Sequence, residues 1–121
     1  MSEKKLKILK LLKLRSKKDL SEHSRAMNAV NAKISELETL KVSLTKQLEY
    51  YGDRKNISSV SQLRSNSVFT QKLNVEIERI EQQSEHLAIE VRRLAAELMR
   101  LDAKKQKIED KIAFEQRKLF A

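Results

Sequence analysis

From Leu73 onward an apolar side chain returns at every seventh position: Leu73, Ile80, Leu87, Leu94, Leu101 and Ile108. A second series falls four positions later, at Ile77, Val91, Leu98, Ile112 and Leu119, with Ser84 and Lys105 as its polar members. Two interleaved seven-residue repeats place their apolar members on one narrow stripe of an α-helix. Sustained over many turns, that stripe is the buried seam of a left-handed coiled coil. The pattern predicts a helix over about residues 60–119. At ~1.5 Å per residue it would span on the order of 90 Å.

The first half carries a weaker version of the same pattern. Met27, Ile34 and Leu48 share one heptad position, and Val30, Leu37, Leu44 and Tyr51 share the other. His23 and Lys41 interrupt this seam, and the register before Leu20 is ambiguous. The expected helix covers about residues 4–51.

Between the two periodic stretches lies the chain's one break, an expected loop of about residues 52–59. Gly52 follows the last periodic residue, where a left-handed helix cap is expected. Gly52-Asp53-Arg54-Lys55-Asn56 is polar and turn-like. Ser59-Val60-Ser61-Gln62 then fits a capping box, with Ser59 as N-cap and Gln62 three residues on. A connection of this length lets the helices fold back so that both seams bury against each other. The expected fold is therefore all-α: a single helical hairpin over residues 1–121, its two long helices forming an antiparallel coiled coil.

Composition narrows the function more than the fold. The 121 residues include no proline, no cysteine, no tryptophan and one glycine. Phosphate-cradling loops need at least two glycines, so the P-loop and the dinucleotide fingerprint are excluded. Disulfides, thiolate metal sites and cysteine nucleophiles are excluded too. No apolar run approaches membrane-spanning length, because Lys7, Lys10 and Lys13 break the stretch Leu6–Leu14.

Two coiled helices offer no substrate-sized cavity, so neither catalysis nor a cofactor is expected. Glu76, Glu78, Glu81 and Glu85 are spaced as a solvated helix flank beside Arg79. His23 and His86 have no second ligand at metal-binding spacing on the same face. Their ordinary roles are a half-buried seam imidazole and a flank residue.

The formal net charge is +9, and it is concentrated. Residues 1–18 carry eight Lys or Arg and one Glu. Residues 19–99 carry eleven basic and twelve acidic side chains, and residues 100–121 carry seven and four. A hairpin brings both termini together, which predicts one basic end of about +10 and a near-neutral loop end. Such an end fits four roles: a solvated face, a socket for an acidic protein, a phosphate-binding patch or an anionic membrane contact. The absence of aromatics among the basic residues disfavours nucleic acid. The basic, leucine-rich stretch Lys4–Leu14 is of the kind that lies on anionic lipid. Near the turn, Tyr50, Tyr51 and Phe69 are expected to meet, as a hydrophobic plug or as a contact patch.

The residues around the turn are Leu44-Thr45-Lys46-Gln47-Leu48-Glu49-Tyr50-Tyr51, a linker with Ser58-Ser59, then Phe69-Thr70-Gln71-Lys72-Leu73 and Ile77-Glu78. Together with the N-terminal lysine-leucine stretch, they resemble the flagellar FliJ family and the similar stalk proteins of type III secretion. The resemblance covers the whole chain in layout and about 35 residues in specific sequence.

It implies a non-enzymatic coiled-coil stalk of the flagellar type III export apparatus. One end would enter the hexameric export ATPase, and the loop end would meet the cytoplasmic domain of the membrane export gate. Export chaperones are further implied partners. The implied location is the cytoplasm, peripheral to the inner membrane at the flagellar base. The gate contacts of the family fall on Leu44, Tyr51, Phe69 and Leu73. Further contact positions fall on Leu40, Gln47, Glu76 and Ile80, where the residue types differ from the family. The basic end supplies the expected ATPase contacts: Lys4, Lys5, Lys7, Lys10, Lys13, Arg15, Lys107, Arg117 and Lys118. Two other classes fit the same coarse pattern. One is a small helical chaperone of prefoldin type, which needs a β-hairpin at the turn. The other is a basic coiled-coil binder of nucleic acid or ribosomes.

Overall fold

A computed structural model describes residues 2–120. Helix α1 is Ser2–Gly52, helix α2 is Val60–Phe120, and a short 3-10 turn, Arg54–Asn56, lies between them. No strand occurs among the described residues. The fold is the expected all-α hairpin, and its two long helices pack against each other.

The seam follows the heptads further than the apolar residues alone indicated. In α2, Leu73, Ile80, Leu94, Leu101 and Ile108 are buried. The same series continues through polar residues at both ends. Asn66 lies seven residues before Leu73 and Glu115 seven after Ile108, and both are buried.

In α1 the buried and half-buried residues, Asp19 and Thr45 apart, form two unbroken series. One is Leu6, Lys13, Leu20, Met27, Ile34, Lys41 and Leu48; the other is Leu9, Ser16, His23, Val30, Leu37, Leu44 and Tyr51. A single register therefore holds before Leu20 as well. A continuous helix carries its heptad positions forward whatever residue type occupies them, and a seam lysine can run its methylenes along the apolar surface.

The chain divides into two compact units. The terminal unit joins α1 through Ala29 to α2 from Val91; the loop unit is Val30–Glu90. In the terminal unit, Leu9, Ile108 and Ile112 form a buried cluster with Leu6 packed on it. Lys5 meets Glu115 at 3.2 Å and Lys13 meets Glu109 at 3.9 Å. Residue numbers fall on α2 as they rise on α1, so the pairing is antiparallel. The loop unit pairs in the same sense: Lys41 meets Glu81 at 3.1 Å, and the Asn66 side-chain amide donates to the Tyr51 carbonyl at 3.4 Å.

The turn corrects one expectation. Gly52 is the last residue of α1 and does not adopt a positive φ. Other groups cap the helix. The Asp53 amide and the Asn56 side chain both donate to the Tyr50 carbonyl, at 3.3 and 2.9 Å, while Asn66 serves Tyr51. The last carbonyls of a helix have no partner inside it, and two asparagine side chains reach them here without a left-handed residue. Nothing lies within 4 Å of where a Cβ on Gly52 would stand. Gly52→Ala is therefore expected to raise stability by about 0.5–1 kcal/mol, because alanine restricts the unfolded chain and favours the helix. A lower midpoint in urea denaturation would show that the glycine is needed.

At the start of α2, Ser59 Oγ accepts from the Gln62 amide at 3.0 Å, the expected N-cap bond. The reciprocal bond is displaced by one residue, since the Gln62 side-chain oxygen accepts from the Ser58 amide at 2.8 Å.

Candidate functional site

The division of charge follows the two units. The terminal unit contains eighteen basic and eight acidic residues, a net of +10; the loop unit contains eight and nine, a net of −1. Ion pairing then sorts the basic residues. Lys5 is held by Glu115, and the seam lysines Lys13 and Lys105 share Glu109, at 3.9 and 3.8 Å. The Lys118 ammonium sits over the Phe114 ring, 4.8 Å from its centroid, and Arg117 Nε donates to the Ala113 carbonyl at 3.4 Å. Four of the nine expected ATPase contacts are thus engaged within the chain. Lys4, Lys7, Lys10, Arg15 and Lys107 have no ion-pair partner among the described residues.

Arg15 and Lys107 line one groove of the terminal unit together with Lys104 and Lys111. Leu12, Ser16 and Ile108 supply its floor and walls, and Asp19 is its one carboxylate. Lys104 and Lys111 were not among the residues expected from the sequence. Their signal lay in the heptads: 104, 107 and 111 recur at helical spacing directly beside the seam positions Lys105, Ile108 and Ile112.

Four acids of this part of α2 are engaged elsewhere. Glu109 and Glu115 hold seam or flank lysines, and Asp110 accepts from the Gln106 amide at 3.2 Å. Glu97 is hydrogen-bonded to Arg100. That bond holds the Glu97 carboxyl below the usual carboxylate range and raises the Arg100 guanidinium above its own. A lowered carboxylate contributes stability at neutral pH that is lost as pH falls through its folded value. Screening by solvent keeps that contribution small. The groove is left with four cations and one anion.

The second candidate surface lies in the loop unit. Tyr51 and Phe69 stack edge to face with ring centroids 4.7 Å apart, and Tyr50 meets Tyr51 at 5.1 Å. Tyr51 occupies a seam position and is half-buried, whereas Tyr50 and Phe69 are exposed. Leu44 is half-buried in the same seam series. Leu73 and Ile80 are buried in the interhelical seam and are not at the surface. Leu40 stays exposed, as do Gln47, Val68 and Val75. The accessible part of this cluster is therefore Tyr50 and Phe69, not all four residues carried over from the family.

Comparisons with family models, with curated proteins and with solved structures return no match for this chain. The reading of its function rests on these two surfaces. His23 donates through Nδ1 to the Asp19 carbonyl, 2.9 Å away, in the same helix. No group of three or more metal-ligating side chains occurs among the described residues. No described helix is long and apolar enough to cross a membrane.

Proposed function

We propose that this chain is a non-enzymatic coiled-coil adaptor, acting as a stalk of the flagellar type III export apparatus. The cationic groove of Arg15, Lys104, Lys107 and Lys111 would receive an acidic surface of the export ATPase hexamer. Tyr50 and Phe69 would contact the cytoplasmic domain of the export gate. The observation that carries this reading is the sorting of charge in the terminal unit. The seam-side acids Glu109 and Glu115 are held by lysines of the same chain, while four cations converge on one groove beside the single carboxylate of Asp19. Clustered, unpaired cations speed and orient docking onto an acidic partner. The aromatic pair supplies a different, largely apolar contact of the kind that dominates interfaces. The family resemblance supplies the identity of the two partners, and it places the chain at the flagellar base, with export chaperones as further partners.

Capture of the full chain on the export ATPase tests this. Reversing Lys104, Lys107 and Lys111 to glutamate is expected to weaken capture by about a hundredfold, since truncating close charge pairs costs about 1.5–7 kcal/mol of coupling. Reversing Lys46 and Lys72 in the loop unit should leave capture unchanged. Undiminished capture by the triple variant would overturn the ATPase assignment. Retention on heparin in place of the ATPase would move the reading to nucleic acid.

A further inference from the structure

The heptad register leaves a surplus of apolar residues on α1. Of the six large aliphatics in Leu6–Leu14, only Leu6 and Leu9 enter the seam. Leu12 lines the cationic groove. Ile8, Leu11 and Leu14 are 51%, 66% and 63% exposed. They lie on the side of the helix turned away from α2, where the stripe reads Lys4, Lys7, Ile8, Leu11, Leu14, Arg15 and Lys18. Those positions recur every three or four residues, a second amphipathic stripe about 100° wide on the back of the first. None of them is acidic, and among the described residues only Lys18 is ion-paired, to Glu22 at 4.0 Å.

We propose that this ridge of the terminal unit docks on an anionic lipid bilayer. Ile8, Leu11 and Leu14 would enter the boundary between headgroups and acyl chains, and Lys4, Lys7 and Lys18 would remain at headgroup depth. The inference goes beyond the adaptor reading, and Arg15 alone of the ridge residues also lines the groove.

Three features favour lipid over the alternatives. The ridge is aliphatic, centred on Ile8, Leu11 and Leu14 and bordered mainly by lysine, which is depleted in protein interfaces, and it holds none of the aromatic anchors that centre them. Aliphatic residues bordered by lysines that extend toward water are the composition of helices lying in a bilayer interface. A second copy of the chain would set like charges against each other. An anionic leaflet supplies both the apolar layer and the countercharge, and each nearby lysine adds to its hold.

The test is co-sedimentation of the full chain with large unilamellar vesicles, either of phosphatidylglycerol and phosphatidylcholine in equal parts or of phosphatidylcholine alone. The chain should pellet with the anionic vesicles and bind the neutral ones at least about tenfold more weakly. The variant Ile8→Gln, Leu11→Gln, Leu14→Gln should lose about tenfold or more of its binding to anionic vesicles, with helicity by circular dichroism unchanged. The same variant should keep its capture on the ATPase. If that capture fails even for the unaltered chain, the adaptor reading falls and the lipid result stands by itself. A chain that ignores anionic vesicles overturns the proposal. So does a glutamine variant that pellets like the unaltered chain, because charge alone would then hold it. Loss of ATPase capture by that variant, with no vesicle binding, would make the ridge a protein surface instead.

Discussion

Ile80→Ala is expected to destabilise the protein by about 3 kcal/mol, within the range measured for emptying buried aliphatic sites. Ile80 is 2% exposed, the most completely buried large side chain among the described residues. It also stands in the middle of the most regular heptad series in the chain. A two-helix seam has no third layer to close over a hole, so the surrounding seam would stay largely in place. The loss includes the transfer free energy of the removed methylenes and the packing contacts of the surrounding cavity wall. For a fold of ordinary stability, about 5–15 kcal/mol, this is a large fraction. The urea midpoint should fall while the slope stays constant. Amide hydrogen exchange should rise first around residues 73–87, because the opened contacts are local to that part of the seam. A change below about 1 kcal/mol would mean that the seam repacks freely at this level.

The second large effect concerns Glu115, and its sign depends on which partner is changed. Glu115 occupies a seam position, is 3% exposed, and is neutralised by the Lys5 ammonium at 3.2 Å. Removing the cation with Lys5→Met leaves a carboxylate in the seam without a countercharge. A destabilisation of about 2 kcal/mol is expected, reduced from the full buried-pair value because Lys5 itself is largely exposed. Removing the carboxylate with Glu115→Leu is expected to stabilise by about 1 kcal/mol, since the site then continues the apolar series of Leu101 and Ile108. The double variant should resemble Glu115→Leu, because no orphaned charge remains. Thermal unfolding of the three variants checks this. If Glu115→Leu lowers the midpoint, the pair contributes net stability and the desolvation argument fails here.

Both residues show what one-dimensional periodicity can reveal. Ile80 was legible because it is apolar and in phase. Glu115 and Asn66 were not, although they stand in the same series, because a search for apolar recurrence stops at the first polar residue. The same limit hid the register before Leu20. There Lys13 and Ser16 fall on the seam, while the more conspicuous leucines at 11 and 14 fall outside it. A helix of 51 residues keeps its phase through such substitutions, so the geometry carried the seam where composition did not.

The candidate surfaces were legible to different depths. The aromatic cluster at the turn was visible as Tyr50, Tyr51 and Phe69, because hairpin pairing fixes which residues face each other. The basic character of the terminal unit was visible as a count of charges. Which cations are available was not visible. Lys5 and Lys13 look the same in sequence as Lys7 and Lys10, and only their distances to Glu115 and Glu109 separate them.

The sequence by itself determined the helices, the place of the turn and the line of the seam between its apolar members from Leu20 onward. Those follow from local periodicity, capping residues and the lack of proline, all of which act within a few turns of the chain. The tertiary structure decided the rest: that Gly52 needs no left-handed cap, that a carboxylate sits in the seam, and that Arg15, Lys104, Lys107 and Lys111 share a groove. It also decided that Ile8, Leu11 and Leu14 remain outside. These outcomes depend on which side chains of the second helix come within reach of the first. That is set by the phase of two helices relative to each other, a quantity neither helix encodes separately.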